Sequence, residues 1–327
     1  VLTIADANDD DLLEVLGKVQ LSLARSQQGR AEESLELAQE ALAVYDTERH
    51  QVLGHRFGTD QGVAAHVFAG WSHLVLGHLD RGLAQLIEAV DLAEALGRPF
   101  NRVFAMAFLA TGHWERGETA QTLHFAGQAR RLAQEQGFSF WAGISGVWEA
   151  AERVITLGDR HALDDVIQAG LVAGESGNRG GSTAVLARVA EAAHAAGERQ
   201  TTQGVLDMAL SVSAETGQPW WDSSLLRQQA ELHFDEVTSG TADHLTDPDH
   251  PWSRAAADWL SALELADRFG FPVHGVRAAC GYAVLLGKVG RPEDGRRILR
   301  HWYGRCTEGL DTPVLAAVRD QLQRSGG

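Results

Sequence analysis

Few places in this 327-residue chain offer reactive chemistry. Its densest set of potential ligands is His244, Asp247, Asp249 and His250, a mixture of imidazoles and carboxylates that suits borderline or hard cations. Spacing alone fixes no coordination geometry, so the set reads first as a solvated acidic loop. Cys280 and Cys306 sit in apolar, helix-forming sequence without an adjacent run of basic residues to favour thiolate. Two cysteines cannot build a disulfide framework, and no Cys-x-x-Cys exists for zinc. The nearest approach to a phosphate loop is Gly281-Tyr-Ala-Val-Leu-Leu-Gly287-Lys288-Val289. It has five residues between its glycines, lacks the following hydroxyl and reads as helix, so the amide cradle is missing. Neither a Gly-x-Ser-x-Gly elbow nor a His-Glu-x-x-His helix occurs. The expectation is a protein without metal or cofactor that leans away from enzymatic activity. His66 and His73 lie two helical turns apart, as packed or groove residues do, and His113 takes a position suited to a packing ring.

Binding chemistry is better represented. Nine tryptophans against three tyrosines is an unusual balance, and each indole couples a large apolar surface to a single N–H donor. The charge balance, 28 Lys+Arg against 44 Asp+Glu for a formal net charge of −16, argues against nucleic-acid or anionic-membrane binding, which needs clustered cations. There is no apolar run long enough to span a bilayer and no basic n-region at the start, so a reducing, cytoplasmic setting is expected.

The elements that would position these side chains are helices. Leu79–Leu96 places apolar residues at 83, 86, 87, 90 and 93, one buried stripe at helical spacing. The stretches 30–45, 119–135, 199–215 and 254–268 read the same way, and no strand is needed anywhere. Turn glycines at 29, 77, 117, 158, 197 and 290 are separated by 48, 40, 41, 39 and 93 residues, the last being two periods and an insertion. A small residue seven before each turn and an alanine twelve after it (Gly70, Gly77, Ala89; Ala110, Gly117, Ala129; Ala190, Gly197, Ala209) let paired helices approach closely. This is tetratricopeptide logic stretched to a period of about 40 residues. The expected fold is all-α: a solenoid of six to seven tetratricopeptide-like helix pairs over 11–323, with tails at 1–10 and 324–327. An insertion loop is expected over 235–250 and a glycine-containing loop over 51–62, with Asp60 capping the helix that follows.

Several segments together resemble a known family. They are His55-Arg-Phe-Gly-Thr-Asp60-Gln-Gly-Val63, Arg98-Pro99-Phe100, Glu135-Gln-Gly-Phe138 with Trp141, Thr216-Gly217-Gln-Pro-Trp220-Trp221-Asp222 and Cys306-Thr-Glu-Gly309-Leu-Asp-Thr-Pro313. In this order they resemble the C-terminal tetratricopeptide region that follows the predicted-ATPase module of bacterial class III adenylate/guanylate cyclase-type signalling regulators. The last segment carries Leu310 where that family has Phe, and Gly180-Gly181-Ser182 stands where it tends to have Arg-Pro-Tyr. The resemblance implies a signalling role and an ATPase or cyclase output module as one possible partner.

The first helix of each pair in such a solenoid lines the concave face. That places Trp71, Trp114, Trp148, Glu152, Glu191, His194 and Trp221 along a candidate ligand-binding groove, with Phe57 and Asp60 shaping one wall. Aromatic walls and carboxylates suit a cationic or amphipathic segment. The leading expectation is a regulatory solenoid that binds a peptide, a protein partner or a small effector. The alternative is an enclosed pocket for a small molecule, with binding or enzymatic activity in a biosynthetic pathway; the third is a structural dimerisation module.

Overall fold

Left-handed glycines set the helix ends. Gly77 and Gly117 close helices at φ 83° and 78°, a conformation costly for any residue with a Cβ, and the same turn recurs at Gly29, Gly158, Gly197 and Gly290. Prolines open the first turn of several helices, where no backbone N–H is missed. The computed structural model describes residues 1–175, 181–237, 245 and 247–324. Among them every regular element is helical.

Seven antiparallel pairs follow one another: α2 (Asp11–Gln27) with α3 (Ala31–Val44), α5 (Gln61–Val75) with α6 (Leu79–Leu96), and α7 (Pro99–Arg116) with α8 (Thr119–Glu135). They continue with α9 (Ser139–Leu157) and α10 (Ala162–Glu175), α11 (Ser182–Ala195) and α12 (Arg199–Thr216), α13 (Asp222–Phe234) and α14 (Pro251–Phe269), and α15 (Pro272–Lys288) and α16 (Pro292–Tyr303). A short 3-10 turn, Pro219–Trp221, precedes α13. Helix α17 (Pro313–Arg324) covers the end. The all-α solenoid of tetratricopeptide-like pairs is therefore the fold of this chain.

Small residues hold each pair together. A Cβ at Gly70 would lie 2.8 Å from Leu86 and 3.0 Å from the Gly82 carbonyl, so α5 and α6 touch backbone to side chain there. Ala89, Ala110, Ala129, Ala190 and Ala209 are all fully buried at equivalent contacts.

Three segments depart from expectation. Residues 1–10, expected as a tail, hold α1 (Leu2–Asn8), with Leu2 packed over Gly17. The expected loop over 51–62 is instead helix α4 (Thr47–Phe57) and a three-residue turn. Asp60 does cap α5, accepting from the Gly62 and Val63 amides at 2.9 and 3.2 Å. Phe57, expected to shape one wall of the groove, is 57% exposed, and Gly62 is helical and leaves room for the Tyr45 ring. Of the expected 235–250 insertion, residues 238–244 and 246 lie outside the described residues, as do 325–327 at the expected C-terminal tail.

The superhelix curls until its ends meet. Pro272 packs on Gly77, Pro313 on Gly117 and Phe269 on Gly29, so the later pairs return to the turns of the early ones. Glu308 pairs with Arg81 at 2.5 Å, and Asp80 accepts from both the Gly309 amide and Arg116. α5 and α7 are buried almost all round, and α7 carries Asn101, His113, Glu115 and Arg116 among its buried residues.

Candidate functional site

The inner face is built by the first helix of successive pairs. Phe68 and Trp71 come from α5; Phe104, Phe108 and Thr111 come from α7 at helical spacing. Trp141, Ile144 and Trp148 come from α9, again one stripe over two turns, and Ala184 and Val185 from α11. The 3-10 turn supplies Trp220 and Trp221. These side chains border a cavity of about 210 Å³, and among the described residues no titratable group lines it.

Trp221 is the hub. It is 1% exposed, stacks on Trp71 at 5.9 Å between centroids, leans on Trp114 at 5.8 Å and touches Trp220 at 5.7 Å. Trp148 meets Trp114 edge-on at 6.5 Å. Such tilted and edge contacts suit the ring quadrupoles. The indole Nε1 atoms of Trp148, Trp220 and Trp221 are all buried without a protein acceptor. A buried donor without a partner costs on the order of 1–3 kcal/mol.

Behind Trp114 the chemistry changes from aromatic to ionic. The guanidinium groups of Arg188 and Arg277 lie 4.9 and 4.5 Å from its ring centroid. Arg188, 1% exposed, reaches Glu152 at 3.1 Å and Glu191 at 2.5 Å. Arg227 pairs with Glu231 at 2.7 Å and with Glu191 at 3.7 Å; Arg277 pairs with Glu115 at 3.1 Å. Burial by itself would push the Glu115 carboxyl up, but Arg277, His274 and Arg227 together hold it below the usual carboxylate range. Burial likewise opposes ionisation of Glu191, and Arg188, Arg227 and Arg277 overcome it. Cys280 has Arg227 and Arg277 nearby, a cationic neighbourhood that its sequence context did not show. Burial still prevails and raises the thiol to about 11; Cys306 is raised to about 11 for the same reason.

The expected groove residues thus separate into groups. Trp71, Trp148 and Trp221 line the aromatic cavity. Trp114 forms the wall between that cavity and the ionic network. Glu152 and Glu191 belong to the network: Glu152 also accepts from Thr119 and Thr156 at 2.6 and 2.9 Å, so neither carboxylate faces the cavity unpaired. His194 pairs with Asp235 at 2.9 Å near the end of α11, outside the cavity lining. Asp60, fully buried, accepts from Tyr45 at 2.8 Å and supports the fold beneath α5. His113 stacks flat on Phe125 at 5.3 Å and hydrogen-bonds Glu118 at 2.6 Å, a packing role. His250 caps α14 through the Trp252 amide, and His244 lies outside the described residues; among the described residues no three His, Cys, Asp or Glu side chains group as a metal site.

The sequence reading missed Phe68, Phe104, Phe108 and the three arginines. A signal for the network was present: Glu115, Glu152, Glu191 and Glu231 recur at 37, 39 and 40 residues, one per repeat. Periodic charge on a concave face calls for periodic counter-charge, which Arg188, Arg227 and Arg277 provide.

Comparison with known proteins locates the fold. No family model and no curated protein matches the chain. Solved structures do, among them a crystal structure of a Rap protein complexed with competence and sporulation factor. It is 11% identical, with a TM-score of 0.52 over 95% of this chain and 97% of that one. The likeness is one of fold. It extends over 95% of this chain. Among the described residues no helix is long and apolar enough to cross a membrane.

Proposed function

We propose that this chain is a non-enzymatic regulatory solenoid whose ligand inserts an apolar group into the aromatic cavity. The observation that carries the reading is the cavity itself, walled by Phe68, Trp71, Phe104, Trp141, Trp148 and Trp221. Such rings offer a preformed surface that receives an apolar or aromatic side chain. Catalysis is disfavoured because general acid–base or nucleophilic chemistry needs a titratable group at the site, and among the described residues none lines this one. The match to a Rap protein complexed with competence and sporulation factor supports ligand binding within such a solenoid. The preference for cationic ligands is withdrawn, since Glu152 and Glu191 already hold arginines. Binding would bias the ring closure between α5 and α15 and pass to a partner, such as the ATPase or cyclase module that the sequence resemblance implies.

A second reading has its own support. The ring is closed and the cavity, about 210 Å³, holds a side chain or a small molecule but not a helix, which favours a free small effector. One titration addresses both. N-acetylphenylalaninamide added to the full chain should shift the indole N–H resonances of Trp148 and Trp221, and N-acetyllysinamide should not. Trp148→Leu, which removes the indole wall, should weaken that binding several-fold. Unmoved indole resonances up to the solubility limit of the phenylalanine amide would overturn the proposal.

A further inference from the structure

The formal charge of −16 hides one local reversal. From Arg291 to Arg305 the chain carries five arginines against Glu293 and Asp294, a surplus of three positive charges in fifteen residues. The other 312 residues hold 23 basic and 42 acidic side chains, a balance of −19.

Helix α16 puts this surplus on its outer face. Gly295, Leu299 and Trp302 turn inward, and a Cβ on Gly295 would lie 3.0 Å from the Ala283 backbone of α15. Arg297, Arg300 and His301 are exposed, Arg297 over 76% of its side chain. Arg291 precedes the helix, half exposed, and Arg305 follows it with its guanidinium 4.6 Å from the Trp302 ring centroid.

The nearby carboxylates are too few to neutralise the surface. Asp294 is shared by Arg291 and Arg297 at 2.8 Å each, Glu293 holds Arg296, and Asp267 of α14 holds Arg305 at 2.5 Å. Five arginines meet three carboxylates, and among the described residues Arg300 pairs with none. Arg300 also lies one turn from both Arg296 and Arg297, spacings at which like charges repel. The negative end of the helix dipole accounts for Arg300 and His301 in the last turn, but not for Arg296 and Arg297 in the middle. Folding does not call for this concentration of charge.

We propose that the outer face of α16 is a docking surface for a carboxylate-rich segment of a partner protein. Guanidinium groups take carboxylates in paired hydrogen bonds, which suits arginine here better than lysine. Twelve residues of helix span about 18 Å, room for a short acidic segment. Salt confines the influence of each surface charge to about 8 Å, so such a segment feels the arginines and little of the acidic remainder. A nucleic-acid duplex, long and polyanionic, extends over that remainder and is repelled. The surface goes beyond the aromatic cavity and gives the regulator a place to meet its partner. It lies on α15, whose Pro272 packs on the α5–α6 turn at Gly77.

The test is fluorescence anisotropy of rhodamine-labelled octaglutamate with the full chain in about 20 mM salt, alongside labelled octaglutamine and a short DNA duplex. Octaglutamate should bind and octaglutamine should not, and raising the salt to about 300 mM should weaken binding at least ten-fold. Arg297→Glu with Arg300→Glu should weaken octaglutamate at least ten-fold. Arg49→Glu with Arg160→Glu makes the same change in net charge at two arginines elsewhere, each 66% exposed, and should weaken it less than three-fold. Circular dichroism checks that each variant is folded; Arg297→Gln with Arg300→Gln, which adds no acid beside Asp294, should itself weaken binding at least three-fold. Absence of octaglutamate binding, or an equal loss in the two charge-reversed variants, refutes the surface. Duplex binding as tight as octaglutamate and lost with Arg297 and Arg300 assigns the face to nucleic acid and overturns the proposal. A dimer in analytical ultracentrifugation that the α16 variants dissolve also overturns it, because the acidic occupant is then a second copy of this chain.

Discussion

Replacing Glu152 isolates the ionic network behind the aromatic cavity. As an unpaired groove carboxylate, Glu152 would be nearly silent in stability. The structure places it instead in a buried position, 3.1 Å from a guanidinium that is 1% exposed, with two threonine hydroxyls donating to its other oxygen. Removing one partner of a buried pair costs about 3–5 kcal/mol, and each stranded hydroxyl adds about 1 kcal/mol when it cannot turn to solvent. Glu191 still neutralises Arg188 at 2.5 Å, which pulls the total towards the lower bound. The expected loss for Glu152→Ala is therefore about 3–4 kcal/mol. Glu152→Gln keeps the acceptor for Thr119 and Thr156 and gives up only the charge, for an expected loss of about 1–3 kcal/mol. Urea unfolding followed by indole fluorescence measures both, with the slope checked to confirm that the denatured state is unchanged. The double variant Glu152→Leu with Arg188→Met should recover a large part of the loss, because an apolar replacement of a buried pair is often neutral. A Glu152→Ala loss below about 1 kcal/mol, or a double variant costing the full sum of its singles, would refute the buried-pair argument.

Other outcomes follow from the same geometry. Asp60→Ala should cost about 2–4 kcal/mol, combining a lost N-cap with a stranded Tyr45 hydroxyl, and Asp60→Asn should retain most of that; thermal unfolding decides. Burial lowers the His73 imidazole from 6.5 to about 4, helped by His78 and Arg81, and burial lowers His78 and His113 too. A depressed histidine pKa means that the unfolded chain binds the proton first. Its stabilisation is then full above about pH 6.5 and lost as pH falls towards about 4. The melting temperature should drop across that window, and His73→Gln should flatten the drop. With both thiols raised to about 11, iodoacetamide at pH 8 should label Cys280 and Cys306 far more slowly in the native chain than in urea. Equal rates would show that the two sites are not closed.

Local rules wrote the repeat into the sequence. Gly29, Gly77, Gly117, Gly158, Gly197 and Gly290 announce turns because positive φ is a property of single residues, and every one adopts it. The buried alanines at 89, 110, 129, 190 and 209 follow from the same register, since helical periodicity needs no knowledge of distant chain. Asp60 was legible as a cap for the same reason. The sequence also pointed to Trp71, Trp148 and Trp221 as inner-face residues, because helix position within a repeat is itself periodic. Long-range closure settled the rest. Only when the 3-10 turn Pro219–Trp221 reaches α2 and α5 do Trp220 and Trp221 join Leu23, Phe68 and Trp71 around one cavity. Likewise, only the fold makes partners of Glu115 and Arg277, 162 residues apart in sequence, turning apparent groove carboxylates into half of a buried network. Pairing across that distance depends on the accumulated rotation of the helix pairs from α7 to α15. A small angle at each step, set by side-chain packing between neighbours, decides which charges meet, and no single window of sequence contains that sum.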